Sequence, residues 1–257
     1  MPADLLAPGA RFKTALLVLL MSQVLAACDA GLPPKIALLA PFEGQYREIG
    51  YNALYAIRLA FADVGTPAAQ FLAVDDGGTI ESAVERVKAL NIDPAVVAIF
   101  VLGPAATHPA VQRANDKPLI IIGNWGHDRS DEDSLYAASP DLAKARATGD
   151  LAMLSPSLDI SDESETLRFA SSGALPDVAF RERYVNSALY APPPNLLATL
   201  TYDIARLTLA ALASNEAPAT SSHHGITGAI RFKDGYWVGA PVNRYRYEGG
   251  ELVLSSD

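Results

Sequence analysis

Short apolar runs alternate with helix-period stretches through the first half of the chain. Lys35 to Leu39 is apolar and bounded by Pro33-Pro34 and Pro41, the signature of a strand buried on both faces of a parallel sheet. From Tyr51 to Val64 the period changes: Leu54, Ile57, Phe61 and Val64 fall at helical spacing, and Gly65-Thr66-Pro67 supplies the stop. Phe71 to Val74 reads as a second strand, Thr79 as the N-cap of a helix to about Leu90, and Val96 to Leu102 as a third strand. A helix from about Thr107 to Asn115 leads into a fourth strand, Leu119 to Ile122. This βαβ rhythm predicts an α/β fold, a parallel sheet with helices on both faces, and its ligands lie outside the carboxyl ends of the strands.

After Trp125 the pattern loosens. Gly126 to Ser134 is polar and carries Asp128, Asp131, Glu132 and Asp133, which reads as a solvated loop. Leu142 to Leu151 fits a helix, whereas Ser155 to Ser172 is rich in Ser, Asp and Glu and reads as an exposed connection. Helical patterning returns from Ala179 to Leu189 and, after Pro192-Pro193-Pro194, from about Asn195 to Ala213. Gly228 to Phe232 and Val242 to Tyr247 read as strands, with a turn at Glu248-Gly249-Gly250-Glu251 leading into Leu252 to Leu254.

The first segment is an address. Arg11 and Lys13 precede the apolar stretch Ala15 to Met21, and only 14 residues separate Lys13 from Cys28, too few to span a bilayer of roughly 30 Å. The pattern is a secretory leader. Leu25-Ala26-Ala27-Cys28 resembles a bacterial lipobox, which implies cleavage before Cys28 and acylation of this lone cysteine; a leader cut elsewhere leaves Cys28 a free thiol. Lipidation would hold the chain at the extracytoplasmic face of a bacterial membrane, the periplasmic face in a Gram-negative cell. The 257-residue chain is 50% hydrophobic, enough to fill a core, and its net charge of -9 argues against nucleic acid as a partner.

Lys35-Ile-Ala-Leu-Leu-Ala-Pro-Phe-Glu-Gly-Gln-Tyr-Arg-Glu-Ile-Gly50 resembles the opening of the type I periplasmic binding proteins, the leucine-binding-type solute receptors of ABC importers. Val74-Asp75-Asp76-Gly77-Gly78, Leu102-Gly103-Pro104-Ala105-Ala106-Thr107 and Pro118-Leu-Ile-Ile-Ile-Gly-Asn124 follow in that family's order, as do Tyr202-Asp203-Ile204-Ala205-Arg206-Leu207 and Gly225-Ile-Thr-Gly-Ala-Ile-Arg-Phe232. The resemblance implies two lobes closing on a small solute, yet only Asp141 to Asp177 separates the matching blocks, too little for a second α/β lobe. The expected organisation is a leader (1–27), a linker after Cys28 (28–34), the first part of one nearly complete lobe (35–140), a shortened connection replacing most of the second lobe (141–177), and a C-terminal part completing the lobe with a β-hairpin (178–257).

Candidate contacts lie at the expected carboxyl edge. Glu43, Gln45 and Tyr46 follow the first strand, as ligand contacts or an ordinary solvated turn. Ala105, Ala106 and Thr107 lead into the third helix, where backbone amides and the Thr107 hydroxyl suit a carboxylate, or Thr107 simply caps the helix. Asn124, Trp125, Gly126 and His127 follow the fourth strand, and bulky Trp125 and His127 either reshape the pocket or fill space left by the lost lobe. Asp75 and Asp76 read as turn and helix-start residues. None of the four histidines stands in a metalloprotease motif, and no nucleophile elbow, phosphate loop or dinucleotide fingerprint occurs, so no enzyme, metal or cofactor is expected. The resemblance implies binding of an amino acid, amide or similar small polar solute for an ABC permease. The alternative is an interaction or regulatory lipoprotein that kept the fold and lost the ligand. A homodimer covering the face the lost lobe would contact is a further expectation.

Overall fold

Alternation along the strands decides the layers. In β1 (Lys35–Ala40), Ile36, Leu38 and Ala40 enter one apolar cluster and Ala37 and Leu39 the other. Period-two side chains demand that split. It repeats in β3 (Val96–Val101), with Phe100 opposite Ile99 and Val101, and in β4 (Leu119–Ile122), with Ile120 and Ile122 opposite Leu119 and Ile121. Helices α1 (Arg47–Val64), α4 (Val178–Asn186) and α5 (Leu196–Ala213) cover the first face; α2 (Ile80–Ile92) and α3 (Pro109–Ala114) cover the second. The structure, a computed structural model, describes residues 32–65, 67–141, 168–248 and 251–255. Pro34–Asp257 forms one compact unit.

The main sheet runs β2 (Gln70–Asp75), β1, β3, β4, β5 (Leu135–Ala138), all parallel, as the βαβ rhythm predicts. Beyond β5 lie β9 (Tyr236–Trp237), parallel to it, then β8 (Gly228–Lys233) and β7 (Ser222–Gly225), each antiparallel to its neighbour. A second, antiparallel sheet joins β6 (Arg168–Ser171), β10 (Asn243–Glu248) and β11 (Glu251–Leu254) in the order β11-β10-β6. The C-terminal hairpin thus pairs outside the main sheet, with a strand inside the stretch read from sequence as an exposed connection. The expected helix from Leu142 to Leu151 lies outside the described residues.

Three polar residues fasten the first helical layer. Asn52, 3% exposed, donates to the Glu48 carbonyl at 3.1 Å and accepts from the Asn195 amide at 3.1 Å; its own carbonyl accepts from the Tyr184 hydroxyl at 3.0 Å. One side chain and its backbone therefore join α1, α4 and the start of α5. Asn195 caps α5, accepting from the Leu197 and Ala198 amides. Asp203 is fully buried on α5, and its Oδ2 accepts from the Thr227 amide at 2.6 Å and hydroxyl at 2.7 Å, drawing the β7–β8 hairpin onto the helix. A Cβ on Gly225 would lie 2.1 Å from Asp203 Oδ1, so glycine is required there. Helix α5 is long and apolar enough to cross a membrane, but 72% of it is buried in this core.

Gly50 sets the path of the loop after β1. It lies in the first turns of α1, where an added Cβ would stand 1.9 Å from the Pro41 carbonyl oxygen. The loop carrying Glu43 to Tyr46 can lie on the helix only because that side chain is missing. Gly50→Ala is expected to destabilise the fold by ~2–3 kcal/mol, the scale of core overpacking. A lowered urea midpoint with an unchanged denaturant slope would register it; an unaltered midpoint would show that the loop yields freely.

Candidate functional site

Parallel strands aim their carboxyl ends at one rim, so the loops after β1, β2, β3 and β4 gather there. Glu43 and Gln45 are exposed on it and Tyr46 is half-buried, in a single turn of 3-10 helix at Gly44–Tyr46. Beside them the last residue of β2 reaches across. Asp75 accepts from the Phe42 amide at 2.7 Å through Oδ1 and from the Gly77 amide at 2.9 Å through Oδ2, clamping the β1 loop to the β2 loop.

Asp76 does the same in the other direction. It is 1% exposed and accepts from the Gly78 amide at 2.8 Å, and the nearby Ala106 amide also favours its ionised form. Burial pushes its carboxyl above the usual carboxylate range, the Gly78 amide pulls it back, and the charge of Asp75 pushes it further up. The amide of Ala106 was a candidate donor to a bound carboxylate; here it meets the chain's own. Ala105 and Ala106 are buried in the second apolar cluster. Thr107 is 1% exposed, and its hydroxyl donates to the Gly103 carbonyl at 2.8 Å. Helix α3 begins later than the sequence suggests, at Pro109, and its cap is His108, whose Nδ1 accepts from the Ala110 amide at 3.2 Å.

After β4, Asn124 makes an Asx turn, accepting from the Gly126 amide at 3.0 Å. Trp125 folds back on its own strand: its indole N–H donates to the Ile122 carbonyl at 2.7 Å and its ring packs against the first apolar cluster. His127 lies edge-on to His108, ring centroids 5.0 Å apart. Burial first, and the neighbouring His108 second, hold its pKa below the ordinary histidine value, against the opposite pull of the Pro104 carbonyl.

The structure thus brings Asn124 and His127 together with Ala105 to Thr107 through the His127–Pro104 and His127–His108 contacts, with Glu43 and Gln45 on the same rim. Sequence reasoning passed over Arg129, Ser139 and Tyr236. With Gly123, Asn124, His127 and Asp128 they line a hollow of about 10 Å³, room for one water. Arg129 donates to the carbonyls of Ser130 (2.8 Å), Glu132 (3.1 Å), Leu135 (3.5 Å) and Asp234 (3.2 Å), and its guanidinium lies 4.9 Å from the Tyr236 ring centroid. Gln112, fully buried, bonds the Asp128 carbonyl and the Ser130 amide. The stretch read as a solvated loop is therefore pinned from two sides, with Asp131, Glu132 and Asp133 left exposed. A basic residue alone inside an acidic run was the available signal. Among the described residues no group of three or more His, Cys, Asp or Glu is placed to hold a metal ion.

No family model matches the chain, and no curated protein matches it. Solved structures do. An ABC transporter solute-binding protein from R. palustris, in complex with benzoate, is 13% identical with a TM-score of 0.64, over 86% of this chain and 94% of that one. The leucine-binding protein LivK from Thermotoga maritima is 16% identical with a TM-score of 0.60, over 87% and 98%. The fold is that of the type I periplasmic binding proteins. LivJ from Streptococcus pneumoniae, in complex with isoleucine, has the same fold: 14% identity, a TM-score of 0.58, and coverage of 87% and 100%. At 257 residues this version of the binding-protein fold is short beside those chains.

His127 gives the rim a pH dependence. Its folded pKa lies below the unfolded value near 6.5, so between the two the unfolded chain binds more protons. Stability therefore rises with pH through that window and levels off above it. Thermal melts between about pH 5 and 7.5 should show His127→Gln with a flatter slope than the parent protein. Parallel slopes would mean that the imidazole is protonated equally in both states.

Proposed function

We propose that this is an extracytoplasmic, lipid-anchored binding protein that recognises a small polar organic solute, such as an amino acid, an amide or a carboxylate, and performs no chemistry on it. What carries the reading is a fold that matches ABC solute-binding proteins over 86–87% of the chain, with candidate contacts on the rim where such sheets bind ligands. The contacts are Glu43, Gln45 and Tyr46 on one side and Asn124, Trp125, Gly126 and His127 on the other, over the floor made by Ala105, Ala106 and Thr107. The similar proteins are binding proteins, and an ABC permease is the partner they imply. The anchor is acylated Cys28, supported by the lipobox-like Leu25-Ala26-Ala27-Cys28, which lies outside the described residues. The sheet β6-β10-β11 is the remnant of a shortened second lobe, and a homodimer would supply the missing wall.

A second reading has its own observation. The amides of Phe42, Gly77 and Gly78 bond to Asp75 and Asp76, the Ala106 amide lies beside Asp76, and the hollow at Asn124 admits one water. A rim satisfied from within suits a lipoprotein that kept the scaffold and offers a surface to another macromolecule.

Titration calorimetry of the folded mature chain against leucine, isoleucine, small amides and benzoate separates the two. Solute binding predicts a saturable heat with at least one member, weakened when Glu43 and Gln45 are both changed to Ala. A well-folded chain silent to the whole panel overturns it in favour of the second reading.

A further inference from the structure

Two of the histidines meet at the rim, and each holds a different part of it. His108 caps α3, its Nδ1 accepting from the Ala110 amide at 3.2 Å. That nitrogen therefore presents its lone pair, and the neutral ring carries its proton on Nε2. A second proton has only Nδ1 to go to, and it takes the acceptor away. Helix α3 is six residues long, too short to stand alone, so the cap is a large share of what keeps it wound.

The helix in turn fastens the loop after β4. The Gln112 side chain, fully buried, donates to the carbonyls of Thr107 at 2.9 Å and Asp128 at 3.2 Å and accepts from the Ser130 amide at 2.7 Å. Unwinding α3 would carry Gln112 away from both loop residues. His127, on that loop, lies edge-on to His108 with ring centroids 5.0 Å apart, so a positive charge on either ring stands against the other. Burial and His108 together already disfavour the charged form of His127, and they outweigh Asp128 and the Pro104 carbonyl, which favour it. The remaining charges are engaged or turned outward. Asp76 accepts from the Gly78 amide, and the Arg129 guanidinium spreads over four backbone carbonyls. Arg113 on α3 is exposed, as are Glu81, Glu85, Arg86 and Lys88 on α2, the helix packed beside it.

We propose that His108 and His127 form an acid-opened latch on the recognition rim: in acid the cap of α3 is lost, the two rings repel, and the loop from Asn124 to Ser130 is released, so that a solute held at neutral pH is let go. The release of solute rests on the solute-binding reading above; the latch itself does not.

Amide hydrogen exchange in the ligand-free protein reads the latch, as protection factors at about pH 7.5 and pH 5, on either side of the ordinary histidine range. On acidification Ala110 and Ser130 should lose about fivefold more protection than Ile99 in β3, the effect of one missing cap. His108→Asn keeps a capping acceptor that takes no proton, and it should abolish the extra loss at both positions. His127→Gln leaves the cap and should lessen it. Equal losses at Ser130 and Ile99 in the parent protein, or an undiminished extra loss in His108→Asn, overturn the latch. Titration calorimetry at the same two pH values reads the release. Whichever of leucine, isoleucine, small amides or benzoate binds should bind about fivefold more weakly in acid, and His108→Asn should remove the difference. A solute held equally tightly at both pH values overturns the release. A panel silent at both overturns the solute reading and the release with it, while the exchange result still decides the latch.

Discussion

A parallel sheet ends in backbone amides that the returning loops must pair, and at this rim two adjacent carboxylates supply the partners. Asp75 ties the β1 loop to the β2 loop, and Asp76 ties the β2 loop to the approach to α3. Hydrogen bonds to a charged group contribute about 1.5–3 kcal/mol each, roughly twice a neutral bond, so the three to Asp75 and Asp76 hold these loops together. The cost is concentrated at Asp76, where burial and the neighbouring charge both oppose ionisation. The rest of the rim follows from that frame: with the Ala106 amide beside Asp76 and Thr107 turned back to Gly103, the floor is closed before a ligand arrives.

That closure shapes what recognition is open to the protein. Free amides at a helix start favour carboxylates, and here they are taken. Glu43 and Gln45 are exposed, Asn124 is committed to its own turn, His127 packs on His108, and Trp125 covers the end of β4. What such a rim offers outward is its exposed side chains.

Much of the fold was legible in the sequence because β1 to β4 are continuous apolar runs separated by helix-period stretches with clear caps, Thr79 and Asn195 among them. What was not legible has local causes. Leu135–Ala138 is short and half alanine, and Ser222–Gly225 is a polar edge strand whose two histidines alternate between half-buried and exposed. Strand β6 depends on pairing with β10 some seventy residues away, which no local pattern encodes. At the rim, the positions of Glu43 and Asn124 followed from strand ends alone. The approach of the Ala106 amide to Asp76 did not, because it brings together loops from different βα units. Arg129 was hidden for the same reason, its carbonyl partners lying on both sides of β5 and at Asp234.

Amide hydrogen exchange at Phe42, Gly78 and Ala106 tests the central claim, that the rim's donors are held by the chain's own carboxylates. In the ligand-free protein at neutral pH these amides should exchange slowly, and Asp76→Ala should speed exchange at Gly78 and Ala106 while leaving Phe42 protected by Asp75. Exchange at the rate of an open loop in the unaltered protein, at all three positions, would mean that the donors stand free and that the rim is an unfilled receptor site.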